Sequence, residues 1–132
     1  MTNQYISSEE AIKLIKSGDR VFIHGSAATP HHLLNALAKA SESLRNVELV
    51  AISTLGTMEI ANKEYAKSFY FNSLFVSDNV REAINSERGE YIPIFLSEIN
   101  KLFEKGILQL DVALVHVSPP DKHGFCSLGT SV

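Results

Sequence analysis

Few side chains in this sequence are equipped for chemistry, and their spacing narrows the choice. His116 closes an apolar run just before Ser118, and an imidazole titrates where acid–base catalysis needs it. A lone histidine on an apolar strand is more commonly a satisfied core residue, so a buried structural place is expected for His116. His123 and Cys126 stand three apart beside a turn, and His31 and His32 are adjacent in a helical stretch. Adjacent helical residues point about 100° apart, so those two cannot chelate one ion. Neither C-x-x-C nor H-E-x-x-H occurs, and no metal site is expected. Cys126 would need a neighbouring base to act as a nucleophile, and it reads better as a small buried side chain. Glu59, Glu98 and Glu104 are scattered, and no carboxylate pair stands out. No catalytic residue is assigned in this chain.

What remains is a set suited to binding. Gly25-Ser26-Ala27-Ala28-Thr29-Pro30 is a small-residue loop leading into a helix, whose free amides and positive dipole end can hold a carboxylate or a thioester oxygen. The same pattern is also the ordinary turn from strand to helix. It is not a nucleotide fingerprint, because G-x-G-x-x-G and G-x-x-x-x-G-K are both missing. Arg81, four residues after Ser77, lies near the start of a helix, where the dipole favours acids. A cation placed against that preference can serve a site, and a guanidinium fork suits a carboxylate. The plain alternative is a solvated arginine paired with Glu82 or another nearby acid. Ser53-Thr54-Leu55-Gly56 and Ser118-Pro119-Pro120-Asp121 are two further loops of small and turn-forming residues.

Regular elements must bring these loops together. Ser7-Ser8-Glu9-Glu10 is a capping box, opening a helix with Ala11, Ile12, Leu14 and Ile15 inward and Gly18 as its cap. Residues 20–24 read as a strand. Thr29 as N-cap and Pro30 at the first helical position start a second helix, with Leu33, Leu34, Leu37 and Ala38 as its buried stripe. Residues 47–52 form the next strand, completing a right-handed βαβ unit. Residues 59–66 are weakly helical, 69–77 extended, and 78–86 helical with Val80, Ala83 and Ile84 inward. Residues 91–94 are briefly extended, since Pro93 bars a long central strand. Ser97 is expected to cap a helix that runs through Ile99, Leu102 and Phe103 to Gly106. The run 112–117 predicts a strand buried on both faces, which Pro119 and Pro120 force out of the sheet. A short strand at 125–128 and a helix start at Gly129-Thr130-Ser131 follow. The alternation predicts an α/β fold: an open, mostly parallel sheet with helices on both faces. Ligands of such sheets bind beyond the carboxyl ends of the strands, where all four loops fall.

Composition removes other classes. A chain of 132 residues with 45% hydrophobic and 20% charged residues is an ordinary globular domain. A net charge of −3 and the lack of a basic cluster with interleaved aromatics argue against a nucleic-acid partner. No apolar stretch approaches the ~18 residues of a membrane span, and the first residues carry no secretory pattern. One cysteine fits a reducing, cytoplasmic setting.

Residues 111–129, Asp-Val-Ala-Leu-Val-His-Val-Ser-Pro-Pro-Asp-Lys-His-Gly-Phe-Cys-Ser-Leu-Gly, resemble a segment of the acetyl-CoA hydrolase/CoA-transferase family. The likeness is greatest to its acetate and 4-hydroxybutyrate CoA-transferase members and covers nearly the whole chain. It takes in the small-residue loop ending at Pro30 and the Ser77-x-x-x-Arg81 spacing. The resemblance implies the open sheet shared by CoA-transferases and sugar-phosphate isomerases. It implies cleft-facing places for Gly25, Ser26, Pro30, Ser53, Arg81 and Ser118, with Arg81 nearest the substrate carboxylate. It further implies an acyl-CoA and a small carboxylate as ligands, coenzyme A as substrate and not as a permanently bound cofactor, and a homo-oligomer. In such enzymes a glutamate attacks the thioester, giving an acyl-glutamyl anhydride and then a glutamyl-CoA thioester. That glutamate and the glycine-rich CoA loop belong to the second half of the family's sequence. Residues 1–132 are therefore expected to be the N-terminal domain of a longer two-domain enzyme, inactive without the missing C-terminal domain. Acetyl-CoA hydrolase, with water as acceptor, and a non-catalytic metabolite-binding domain are the alternatives.

Overall fold

The computed structural model describes residues 5–131. Five strands, β1 (Arg20–Ile23), β2 (Val47–Ala51), β3 (Phe69–Ser73), β4 (Gly89–Tyr91) and β5 (Val112–Leu114), pair in the order β4-β3-β2-β1-β5, every pair parallel. Val21 stands opposite Leu49 and Val112, and Leu49 opposite Phe71, so apolar residues of four strands share a row. Alternation along the strands separates two faces. Val21, Ile23, Leu49 and Phe71 pack under α1 (Ser8–Ile12), α2 (His31–Lys39) and α3 (Asp78–Asn85). Phe22 and Val50 point the other way and meet α4 (Ile99–Glu104). There Phe22 and Phe103 make an edge-to-face pair, with centroids 5.8 Å apart. Helices cover both faces, three against one.

The capping box forms: Glu10 N–H donates to Ser7 Oγ at 3.2 Å and Ser7 N–H to the Glu10 carboxylate at 3.4 Å. Ser7→Ala is expected to cost about 1 kcal/mol, read as a lowered urea midpoint. The helix ends at Ile12, well before Gly18, and Leu14 is exposed. Its continuation has other partners, since Lys16 N–H donates to Asp19 at 2.8 Å and Gly18 N–H to the Arg45 carbonyl at 3.0 Å.

Several boundaries differ from expectation for similar reasons. β3 stops at Ser73, because Ser77 is drawn across to Thr54, whose N–H donates to Ser77 Oγ at 2.9 Å. Residues 59–66 form two 3₁₀ turns, Glu59–Ala61 and Lys63–Tyr65. β4 lies two residues earlier than expected, leaving Pro93 beyond the ladder where no donor is needed. Ser97 does not cap α4; a 3₁₀ turn, Leu96–Glu98, forms first, and Glu98 N–H donates to the Phe95 carbonyl at 2.8 Å. The largest correction concerns the run 112–117. β5 is an edge strand of three residues paired only with β1, and Val115 and Val117 are each 41% exposed. The expected strand at 125–128 is not one: Ser118 N–H to the Ser127 carbonyl and Asp121 N–H to the Phe125 carbonyl, both 2.9 Å, close a loose hairpin, and Phe125 is exposed. The helix expected to start at Gly129-Thr130-Ser131 would have its body outside the described residues.

Candidate functional site at the carboxyl rim

The strand order sets four loops side by side along one rim. In sequence across the sheet they are residues 77–81 after β3, 53–56 after β2, 25–30 after β1 and 118–121 after β5. From β1 the chain steps outward through β2, β3 and β4, then returns to β5 on the other side of β1. The crevice between β1 and β5 is thus the switch point at which open parallel sheets bind ligands.

Gly25 is there because the chain passes too close to β2 for a side chain. A Cβ at Gly25 would sit 2.6 Å from the Ser53 carbonyl oxygen. The next residue, Ser26, takes a left-handed conformation, φ +51°, which costs a non-glycine residue ~1 kcal/mol. Its N–H donates to the Ser53 carbonyl at 2.9 Å, and the hydroxyls of Ser26 and Ser53 lie 3.1 Å apart. One hydroxyl donates to the other, so one O–H of the pair stays free to donate outward.

Thr29 does not cap α2. Its hydroxyl donates to the Ser26 carbonyl at 2.7 Å and accepts from Leu55 N–H at 3.1 Å, stitching two rim loops together. Pro30 takes the cap position instead of the first helical one, is buried, and lines none of the three rim cavities described below. The loop 53–56 is held from its other side as well. Buried Thr54 Oγ1 donates to Asn79 Oδ1 at 3.0 Å, and Asn79 Nδ2 donates to the Gly56 carbonyl at 2.9 Å. Asn79→Ala strips the Thr54 hydroxyl of its partner and is expected to cost about 1–2 kcal/mol in urea unfolding.

Three cavities open on this rim. One of about 470 Å³ at the switch point has Phe22, Ile52 and Val115 as apolar wall and His24, Ser26 and Ser53 as polar groups. A second, of about 540 Å³, lies between the β2 and β3 loops and is lined by Ser53, Leu55, Phe75 and Arg81. A third, of about 390 Å³, holds His116 and Ser118. All fall in the range of small-molecule sites, and Ser53 borders the first two. Gly25, Ser26 and Ser53 are therefore brought together. The strand leading to Arg81 is next to the one leading to Ser53, and three spacings, ~14 Å, from the one leading to Ser118.

Arg81 Nη2 pairs with Asp78 Oδ1 at 2.7 Å across one helical turn, the local pairing left open above. Its side chain is 57% exposed, so the pair adds little stability and leaves the guanidinium reachable. Asp121 Oδ1 accepts from His123 and Phe125 N–H groups at 2.8 and 3.0 Å. Both acids of the rim loops are thus engaged. Ser118 Oγ accepts from Ser127 N–H at 2.9 Å, so it shapes the hairpin as well as facing its cavity.

His116 is exposed at the third cavity, not buried in the core, because β5 ends at Leu114, two residues before it. Cys126 is exposed too. The buried histidine is His24, the residue after β1, whose Nδ1 accepts from His116 N–H at 3.2 Å and whose Nε2 donates to the Ser131 carbonyl. Sequence reasoning passed over His24, Thr54 and Asn79. Only His24 carried a signal, its position immediately before the rim glycine. Among the described residues no group of three or more His, Cys, Asp or Glu side chains is placed to hold a metal ion. No helix among them is long and apolar enough to cross a membrane.

Comparison with known proteins gives this rim a context. A succinyl-CoA:acetate/propanoyl-CoA:succinate CoA transferase of Fasciola hepatica is 46% identical over 128 residues, 96% of this chain and 26% of that protein. A 4-hydroxybutyrate coenzyme A transferase of Clostridium kluyveri is 36% identical over 126 residues, 96% of this chain and 29% of its own length. Among solved structures, RipA from Yersinia pestis superposes with a TM-score of 0.85 at 26% identity, covering 94% of this chain and 31% of that one. A 4-hydroxybutyrate CoA-transferase from Porphyromonas gingivalis gives 0.60 at 25% identity, covering 94% and 27%. The chain thus spans less than a third of the length of these relatives. The profile of the acetyl-CoA hydrolase/transferase N-terminal domain matches residues 1–132, and the chain belongs to that family.

Proposed function

We propose that this chain is the N-terminal domain of a longer acyl-CoA:carboxylate CoA-transferase of the acetate/4-hydroxybutyrate type, and that it forms one wall of the acyl-substrate cleft. The observation that carries the reading is the Ser26–Ser53 hydroxyl pair, 3.1 Å apart at the switch point over the apolar wall of Phe22, Ile52 and Val115. An apolar wall suits a short acyl chain, and the free O–H suits the oxygen of a thioester or carboxylate. Arg81, next along the rim, adds a cation for the acceptor carboxylate. The chain binds and orients; the attacking carboxylate, as the family resemblance implies, comes from a C-terminal domain. The relatives' names and the partial coverage of their length support the same reading. The unpaired, exposed Cys126 accords with a cytoplasmic enzyme, and a homo-oligomer is part of the proposal.

The test is thioester turnover by the full-length protein with and without an added carboxylate. Transfer of CoA that requires acetate or 4-hydroxybutyrate supports the reading. Equal loss of thioester without any acceptor means a hydrolase on the same scaffold. Tight metabolite binding with no turnover means a binding domain.

A further inference from the structure

The strip from Leu128 to Thr130 is a partition: Leu128 and Thr130 line both the switch-point cavity and the cavity that holds Ser118. On one side it is held through Ser127, whose N–H donates to Ser118 Oγ, and just past its other side the Ser131 carbonyl is held by His24. A carbonyl oxygen only accepts, so Nε2 of His24 must carry the proton that it donates to Ser131. His116 N–H only donates, so Nδ1 must be bare. The two bonds together define a tautomer with its proton on Nε2. The ring is buried just past β1 and tied to a backbone group beyond β5 and to one just past the strip. Gly25 and Ser26 follow directly in the chain, so the ring joins the hydroxyl pair to the partition.

We propose that His24 is a positioning residue that fixes this partition and so sets the length of acyl group that the switch-point cavity admits. The inference rests on the proposed CoA transfer. Freed from His24, the strip no longer separates the two cavities, and longer carboxylates gain room that short ones do not need. A residue acting only on stability would change all acceptors alike, whereas a partition changes their ratio.

The experiment uses the full-length protein, with acetate and hexanoate as acceptors and two variants of similar polarity. His24→Gln carries an amide N–H near the Nε2 position and keeps the Ser131 bond. His24→Asn reaches His116 N–H with its oxygen but falls short of Ser131. In His24→Asn the hexanoate-to-acetate ratio of kcat/KM should rise about tenfold, and in His24→Gln it should stay within a factor of about two, the scale on which pocket length discriminates. An Asn variant with wild-type selectivity, or equal losses on both acceptors, overturns the proposal. The ring's tautomer is read separately from ¹⁵N shifts of labelled histidine. The Nε2–H form supports the fastening, and an Nδ1–H or doubly protonated ring overturns it. A wild-type protein that transfers no CoA would sink the functional reading, while the tautomer would still decide whether the fastening exists.

Discussion

Gly25→Val in the full-length protein is expected to abolish measurable CoA transfer and to lower stability by about 2–3 kcal/mol, the upper range for forcing atoms into a filled site. The reason is local and steric. The added Cβ would meet the Ser53 carbonyl oxygen at 2.6 Å, and a backbone oxygen has no rotamer by which to move aside. The ends of β1 and β2 must separate instead. That separation breaks the 2.9 Å bond from Ser26 N–H to the Ser53 carbonyl and parts the hydroxyl pair. Gly18→Ala is the control. Gly18 also matters to the backbone, at φ +86°, but nothing lies within 4 Å of its would-be Cβ, and it sits at the opposite end of β1. That variant should lose about 1 kcal/mol from strain and keep its activity. Urea unfolding and steady-state assays on both variants decide the matter. Near wild-type turnover by Gly25→Val would remove this loop from the site.

Arg81→Ala is expected to raise KM for the acceptor carboxylate about ten- to a hundredfold, as loss of one charge-assisted hydrogen bond implies. Stability should barely change, because the Arg81–Asp78 pair is largely exposed. The donor acyl-CoA should keep its KM if Arg81 holds the acceptor alone. Arg81→Lys keeps the charge but loses the planar fork, and it should fall between wild type and alanine. Asp78→Asn removes the competing carboxylate at 2.7 Å and should lower the acceptor KM or leave it unchanged. An unaltered acceptor KM in Arg81→Ala would mean that the helix-surface pair is all there is.

Periodicity made much of the fold legible. Val21 and Ile23 alternate with Phe22, and Leu34, Leu37 and Ala38 recur on one helical face. Those residues occupy the core as expected. The parallel order followed from the strand–helix–strand sequence, so the loops that share the carboxyl rim were readable in advance. What failed was information that the local sequence does not hold. The run 112–117 has the composition of a strand buried on both faces, yet burial depends on which neighbours cover it, and here β5 has one. The cap of α2 failed differently. Thr29 is a good capping residue, but its hydroxyl bonds Ser26 and Leu55 across the rim, and such bonds between distant loops leave no trace in spacing. Asn79 and Thr54 went unnoticed for the same cause.

The arrangement of the candidate site was legible in part. Gly25, Ser26 and Ser53 meet at the switch point, whereas Pro30 is buried and lines no rim cavity, and Ser118 lines a neighbouring one. Arg81 occupies the next compartment along the rim. Loop composition marked which residues approach the rim. Strand order alone decided how far apart they stand.

The most direct test of the central claim is a structure of the full-length protein with an acyl-CoA bound. The proposed cleft predicts the acyl group beyond the carboxyl ends of β1 and β5, with its carbonyl oxygen about 3 Å from the hydroxyl of Ser26 or Ser53, ordinary hydrogen-bond distance. An acyl group seated elsewhere, such as the groove between α1 and α2 at Lys13 and Lys39, would contradict it.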